Sequence, residues 1–549
     1  MNFSFYSKYT AHGVIKETTS PDNEDFNLII RDSGGIVSAT LVPNTELTFE
    51  KLELTAGIKI SANERIFVNG YQSWTVSREY APKDSMNEFN PKVLGIQKKS
   101  FNPLGIWGAG DLTFHEYPQQ QGVFYGYSYS YVRNGEGVRL FGSLNERVGY
   151  TIITFDTSKE IISFEKELEG ASYDAPVELL SLAVIEDNYE CAFDKYFELM
   201  EIAPPKHDRR CGYTTWYNYY TNVTEDIVNR DLEAISNIGE KIDIFQIDDG
   251  YERAVGDWLL PDSKKFPSGM KAVADKIHSK GMLAGLWLAP FAAVPSSYIY
   301  KKHKDWLVRD KKGHTHYASH NWGGFYALDI YNEEVREYIR DVFDTVLNEW
   351  GFDMVKLDFL YACSIIPIHG KTRGEIMCDA VDFLRECCGD RIILGCGCPL
   401  APAFGKFDYM RIGADVGLTW ENKAFSREDV STQFTLMNTV FRRHLDGRAW
   451  RNDPDVFLLR DDNIKLNLAQ RELIADVNSI CGSLLFVSDD VSTYSQRQRQ
   501  IFVNTIKRSK PRVICARLDI NDNIVIEYEQ DGAENVLEFN IKTGVRRIR

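Results

Sequence analysis

The chain is short of positive charge: 63 Lys and Arg stand against 79 Asp and Glu, a formal net charge of −16, and no long Lys/Arg run offsets it. Nucleic acid and anionic membrane surfaces both need basic patches, so neither is expected as a partner. No apolar run approaches the length that spans a bilayer, which excludes an obvious transmembrane helix. The opening "MNFSFYSKYTAHG" lacks the basic segment, apolar core and small-residue cleavage site of a secretory leader. CxxC pairs and zinc-type spacings are missing too. The ten cysteines are scattered, apart from adjacent Cys387-Cys388 and the close pair Cys396 and Cys398. Reduced thiols in a cytoplasmic protein, with no structural metal and no cofactor, are the expectation. Internal repeats and low-complexity segments are absent.

What is present divides in three. At 549 residues the chain exceeds one compact core. Up to about residue 190, short alternating runs such as "FNLIIRD", "GVFYGYSYSYV" and "GYTIITFD" are separated by turns such as "RNGEG" and "EGASYD", the pattern of an antiparallel β-sandwich. "YECAFDKYFELMEI" reads as a linking helix that "APPKHD" stops, because proline cannot continue a helix. The first domain is therefore placed at 1–205. Across 206–510, apolar strands alternate with amphipathic helices: "GYTTWYN", "DIFQIDD", "LAGLWLAP", "DMVKLDF", "IILGCG", "YMRIGAD", a weaker strand near "GRAWRND", and "SLLFVSDD". Between the first two, "TEDIVNRDLEAISNIG" reads as a helix with Thr224 as N-cap and Gly239 near its end. Eight strands over about 300 residues fit a (β/α)8 TIM barrel with insertions. A doubly wound sheet is the alternative, weakened by the lack of a Gly-rich phosphate fingerprint after the first strand. Residues 511–549, with "RVICARLDI", "NIVIEYEQDG" and "VLEFNI", form a small antiparallel β domain.

In a barrel the C-terminal strand ends face the site, and here they carry charge. On "DMVKLDFLY" residues two apart share a face, so Met354, Lys356 and Asp358 point one way while Val355, Leu357 and Phe359 point the other. "DIFQIDDG" ends in Asp248 and Asp249. "LAGLWLAP" offers Trp287, "YMRIGAD" offers Arg411 and Asp415, and "AWRNDPD" adds Asp453 and Asp455. Each has a bland reading as cap, core residue or ion pair, but those readings must hold at four strand ends together. Two carboxylates with opposed roles are what glycoside hydrolysis needs. Lys356 beside Asp358 would favour the carboxylate form, hence a nucleophile. Asp415 as acid needs a raised pKa, and Arg411 works against it unless it faces elsewhere. Magnesium chemistry with the same acids is the competitor, although Lys356 and Arg411 would repel a cation.

The ordered motifs "FQIDDGYERAVGDW", "GLWLAPF", "VKLDFLY", "GCGCPLAPAFGKFDYMRIGADV", "WRNDPDVFLLR" and "FVSDD", with the early "NGYQSW", resemble glycoside hydrolase family 36, the bacterial α-galactosidases of the melibiase and raffinose-cleaving type. The resemblance implies an N-terminal β-supersandwich, a (β/α)8 catalytic barrel and a C-terminal β domain. It also implies a retaining mechanism on small oligosaccharides, with Asp358 as nucleophile and Asp415 as acid/base. By the same similarity Asp248 and Asp249 bind the 4- and 6-hydroxyls of galactose, Lys356 and Arg411 contact other hydroxyls, and Trp287, Cys396 and Trp74 complete the sugar site. Two stretches depart from the family: "GCGCPLAP" stands in place of a "CSSGGGR"-like segment, and "GADVGLTW" in place of "SDNTD". Three readings follow: a retaining α-galactosidase, an α-N-acetylgalactosaminidase of the same mechanism, and a carbohydrate-binding barrel without hydrolysis. Whether copies of the chain assemble stays open.

Overall fold

The computed structural model describes residues 2–86, 120–424 and 426–547. Within the first 190 residues the chain builds two antiparallel sheets of seven strands each. The period-2 reading is visible in burial: Phe3–Ala11 and Ile36–Pro43 bury alternate residues. The buried rows of the two sheets face each other. Phe26 of one packs its ring against Phe5, Tyr9 and Phe49 of the other, with centroids 5.1–6.3 Å apart, and Phe141 does the same with Phe155 and Phe164.

The linking helix spans Tyr189–Leu199, with the Asn188 side chain capping the Cys191 N–H. It ends sooner than the proline signal implied: Glu201 takes a left-handed φ of 57° before Pro204 is reached. The helix lays Phe193 flat on His444 at 3.9 Å between centroids. His444 in turn bonds the hydroxyls of Tyr189 and Tyr129 at 2.7 and 2.8 Å. Full burial, with Arg443, Arg448 and Arg442 nearby, pushes its imidazole well below the usual histidine range.

The second region is a curled parallel sheet. Its strands in chain order are β1 (Arg210–Thr214), β2 (Ile244–Ile247), β3 (Leu283–Leu288), β4 (Met354–Leu357), β5 (Ile392–Gly395), β6 (Tyr409–Arg411), β7 (Arg451–Asp453), β8 (Val456–Phe457) and β9 (Leu484–Val487). The pairing order is β7-β6-β5-β4-β3-β2-β1-β9-β8, so the two end strands are separated in sequence only by Pro454 and Asp455. The strands are shorter than their apolar runs. β1 stops at Thr214 and turns into a short helix, Trp216–Tyr219. β6 stops at Arg411, which leaves Asp415 in the following loop rather than on the strand face expected for it. The helix after β1 runs Glu225–Ser236, with Thr224 accepting from the Ile227 N–H as anticipated. One element has no counterpart in the strand reading: Ala292–Ala293, Tyr317–Ser319 and Phe325–Ala327 form a small antiparallel sheet between β3 and β4.

Residues Arg512–Leu518, Asn523–Gln530, Ala533–Asn540 and Arg546–Arg547 make the final four-stranded antiparallel sheet. It docks on the parallel region where the Trp420 indole donates to the Ile541 carbonyl at 2.9 Å. Among the described residues no helix is long and apolar enough to cross a membrane.

Candidate active site

At the C-terminal ends of the parallel strands lies a cavity of about 360 Å³. It brings together Trp74, Asp248, Asp249, Trp287, Lys356, Asp358 and Asp415, seven of the nine residues singled out from the sequence. Arg411 and Cys396 do not line it; both are buried behind its wall.

The floor is an ion pair, though not the one expected. Lys356 Nζ lies 2.7 Å from Asp248 Oδ2, reaching across β3 to the end of β2 rather than pairing with Asp358 two residues on. Gln246 Nε2 donates to the same oxygen at 2.9 Å, and the Asp248 N–H donates to Thr215 Oγ1. Burial pushes the Asp248 carboxyl up, but the Lys356 ammonium and these hydrogen bonds outweigh it and hold the group below the usual carboxylate range. Burial likewise works against the Lys356 ammonium; Asp248 outweighs it and keeps the lysine charged. Such a pair adds little net stability, yet it presents fixed polar atoms to whatever fills the cavity.

Asp249, beside it, accepts from Trp322 Nε1 at 2.8 Å. Burial raises its pKa; hydrogen bonds with Glu252 and Trp322 oppose the rise, and the charges of Asp248 and Asp358 add to it. Glu252, itself buried, is pushed well above the ordinary carboxyl range by burial and by Asp249. The hydrogen bond between the two carboxyls favours the protonated form of Glu252 and the ionised form of Asp249.

Asp358 follows β4 directly. Its carboxylate accepts from Trp287 Nε1 at 3.1 Å and from the Phe359 N–H at 2.8 Å. Burial raises its pKa, against the Lys356 charge and hydrogen bonds from Trp287 and Cys396. Lys356 favours the carboxylate form as expected, although its direct partner is Asp248 and burial opposes its effect. Phe359 also departs from its expected face. A left-handed backbone, φ 55° and ψ 33°, ends the strand alternation and turns its ring into the cavity wall. A non-glycine residue held in that conformation costs of order 1 kcal/mol or more.

Asp415 is the exposed member, with a third of its side chain open at the mouth. Arg411 Nη1 bonds it at 2.7 Å. The same guanidinium meets Asp453 at 3.3 Å and Asp455 at 2.8 Å. Arg411 is thus shared among three carboxylates.

The N-terminal region supplies one wall. Trp74 Nε1 donates to Cys396 Sγ at 3.3 Å, and its ring rests over Gly397, where an added Cβ would approach Trp74 Cζ2 to 2.9 Å. The small residues of "GCGCPLAP" therefore seat an indole. The "NGYQSW" loop is pinned by the Ser73 N–H donating to the Cys398 carbonyl, by the Cys398 N–H donating to Ser73 Oγ, and by Arg442. This buried guanidinium donates to Asn69 Oδ1 and to the carbonyls of Ser73, Gln72, Gly70 and Ile412. Burial lowers its pKa to about 10.

Sequence reasoning missed Trp216, Trp322, Phe359 and the segment Ser319–Trp322, all of which line the cavity. Trp216 was within reach, because it lies inside the run "GYTTWYN" read as the first parallel strand.

The geometry has clear relatives. The melibiase family model matches residues 204–372. An α-galactosidase of Escherichia coli is 30% identical over 162 residues, 28% of this chain and 22% of that one. An α-galactosidase of Thermus thermophilus, solved with p-nitrophenyl α-D-galactopyranoside, superposes with a TM-score of 0.71 at 24% identity, over 92% of this chain and 98% of that chain. The family 36 α-galactosidase AgaA of Geobacillus stearothermophilus superposes with a TM-score of 0.60 at 11% identity, over 98% and 78%. Residues 204–372 thus resemble the melibiase family, and the whole chain shares the fold of the family 36 α-galactosidases. The matched stretches span about a fifth of the length of the curated relatives. The segment matched by the melibiase model carries the Asp248–Lys356 floor and Asp358.

Proposed function

We propose that the chain is a retaining, exo-acting α-galactosidase that releases terminal α-galactosyl residues from small oligosaccharides. The observation that carries this reading is the pair of carboxylates at one cavity in unlike settings. Asp358 is buried and held by two hydrogen bonds, whereas Asp415 is open at the mouth. Asp358 attacks the anomeric carbon, and a covalent galactosyl-enzyme forms. Asp415 gives its proton to the departing oxygen, then takes one from the incoming water. Asp248, Asp249 and Lys356 hold hydroxyls against the floor, and Trp287, Trp322 and Trp74 give the ring apolar walls.

The site lies in the region we read as a (β/α)8 barrel, closed by the interrupted segment Arg451–Phe457. The domains are taken as 1–205, 206–510 and 511–549, and the location as cytoplasmic, in keeping with ten cysteines that form no disulfide. Galactose is favoured over N-acetylgalactosamine because the space at Gly397 is taken by the Trp74 ring.

The test compares initial rates on p-nitrophenyl α-galactoside and p-nitrophenyl α-N-acetylgalactosaminide, with Asp358→Gly as the nucleophile variant. The galactoside is expected to be strongly preferred. Asp358→Gly should lose turnover by orders of magnitude and, given azide, form the β-galactosyl azide. Preference for the acetamido sugar would transfer the reading to an N-acetylgalactosaminidase. Silence on both would leave a binding barrel, and near-normal activity of Asp358→Gly would remove the nucleophile.

A further inference from the structure

A general acid pressed against an arginine is an electrostatic contradiction: at 2.7 Å a guanidinium favours the carboxylate and pulls the proton away. The surroundings of Arg411 remove the contradiction. Its Nε and Nη2 are turned to Asp453 and Asp455, which the segment between β7 and β8 brings up from behind. Asp453 accepts from the Asp455 N–H at 2.9 Å, which fixes the two carboxylates relative to each other. Asp455 sits at a left-handed φ of 74°, unusual for a residue with a side chain. Its Oδ2 accepts from the Tyr217 hydroxyl and from the Val416 N–H, the latter at 2.7 Å. Val416 follows Asp415 directly, so one buried carboxylate holds both the arginine and the loop that carries the acid.

We propose that Asp455 is a positioning residue for the proton of Asp415: it offsets Arg411 and anchors the Asp415–Val416 loop. The inference rests on the reading of Asp415 as acid/base. With Asp415, Asp453 and Asp455 around one guanidinium, a full set of ionised carboxylates carries two uncompensated negative charges. Three carboxylates around one guanidinium disfavour the third negative charge. Burial agrees with this: despite Arg411, and with the charges of Asp415 and Asp453 adding to it, Asp455 is pushed up to about 7. The other titratable or charged groups acting here are Tyr217 and Tyr220 after β1, Lys356 and Asp358 at β4, and Cys396 after β5. Glu428 and Asp429 share the cavity.

Asp455→Asn keeps the shape and removes the negative charge that Asp455 takes on as pH rises through about 7. Arg411 then acts more fully on Asp415, the proton leaves at lower pH, and the acid fails earlier as pH rises. The experiment is the pH profile of kcat/KM on two substrates: an α-galactosyl disaccharide, whose leaving sugar needs a proton, and p-nitrophenyl α-galactoside, whose leaving group does not. Asp455→Asn should move the alkaline limb for the disaccharide down by about one pH unit and leave the aryl limb in place. A merely structural role would lower rates without moving that limb. Asp415→Ala separates the two levels of the argument. If it abolishes the disaccharide reaction but spares the first step with the aryl substrate, the acid reading stands, and an unmoved limb in Asp455→Asn overturns the inference alone. If Asp415→Ala costs both substrates equally, the acid reading falls and the inference with it. Should Asp455→Asn not fold, Tyr217→Phe removes a donor that favours the ionised Asp455. It should move the limb the same way, and an unmoved limb there is equally fatal.

Discussion

Asp249 and Glu252 make one acid–base unit out of two buried carboxyls. Burial and the neighbouring carboxylate both favour the protonated form of Glu252, while hydrogen bonds from Glu252 and Trp322 favour the ionised form of Asp249 against its own burial. As pH rises through the elevated pKa, Glu252 loses its proton, the donated hydrogen bond disappears, and a negative charge appears beside Asp249. The KM for an aryl α-galactoside should therefore climb on the alkaline side. Glu252→Gln keeps a donor but cannot titrate, so its KM should stay flat there. A wild-type rise that persists in Glu252→Gln would place the titrating group elsewhere. For folding the sign runs the same way. A carboxyl raised by burial contributes stability below its unfolded pKa near 4.3, and that contribution is lost as pH rises through the folded value. Residues such as Asp248 and Asp358 were legible from sequence because buried charge at a strand end is hard to explain otherwise. The partner of Lys356 was not, because it lies on a strand two positions away in the sheet and no local spacing encodes that register.

The loop "GCGCPLAP" is the element on which the wall depends. Gly397 takes a φ of 56° and leaves no room for a methyl group beneath Trp74. Gly397→Ala would strain the backbone and push the indole away together. An increase in KM of tenfold or more is expected, with the melting temperature lowered by only a few degrees, since left-handed strain costs about 1–2 kcal/mol. Steady-state kinetics and a thermal melt on one preparation decide it; an unchanged KM would show that Trp74 is not held there. The period-2 and βα patterns made most strands legible, because they are local. Their ends were not. Phe359 leaves its strand by its own left-handed backbone, and Trp322, itself at φ 55°, lies in the turn between two strands of the small sheet inserted between β3 and β4, one of whose pairings spans more than thirty residues. Both aromatics are placed by tertiary packing that a window of sequence does not contain.

At the scale of the molecule, the antiparallel N-terminal region and the parallel region share one site. Trp74 reaches the cavity from the first, while Arg442 of the second is buried against acceptors of the first. Arg373 reinforces this seam by pairing with Glu167 at 2.9 Å and bonding the Tyr71 hydroxyl. Their division was readable from the change of strand rhythm and from the proline-rich stop. Their mutual dependence was not, since it rests on contacts between residues more than 300 positions apart.

His444 gives that seam a lower limit in pH. In the unfolded chain its imidazole takes a proton near pH 6.5, but stacked on Phe193 among three arginines it refuses one. A histidine held neutral in this way contributes stability above its unfolded pKa, and that contribution drains away as pH falls. The loss is about 1.4 kcal/mol for each unit below 6.5 until the folded pKa is reached. Mild acid should therefore loosen the seam, and His444→Gln should flatten the fall of melting temperature between neutrality and pH 5. If the variant loses stability on acidification as steeply as the parent, the seam is not the weak point. If it does not, the acid tolerance of this protein is decided by how its parts are joined, and can be altered without touching a residue of the cavity.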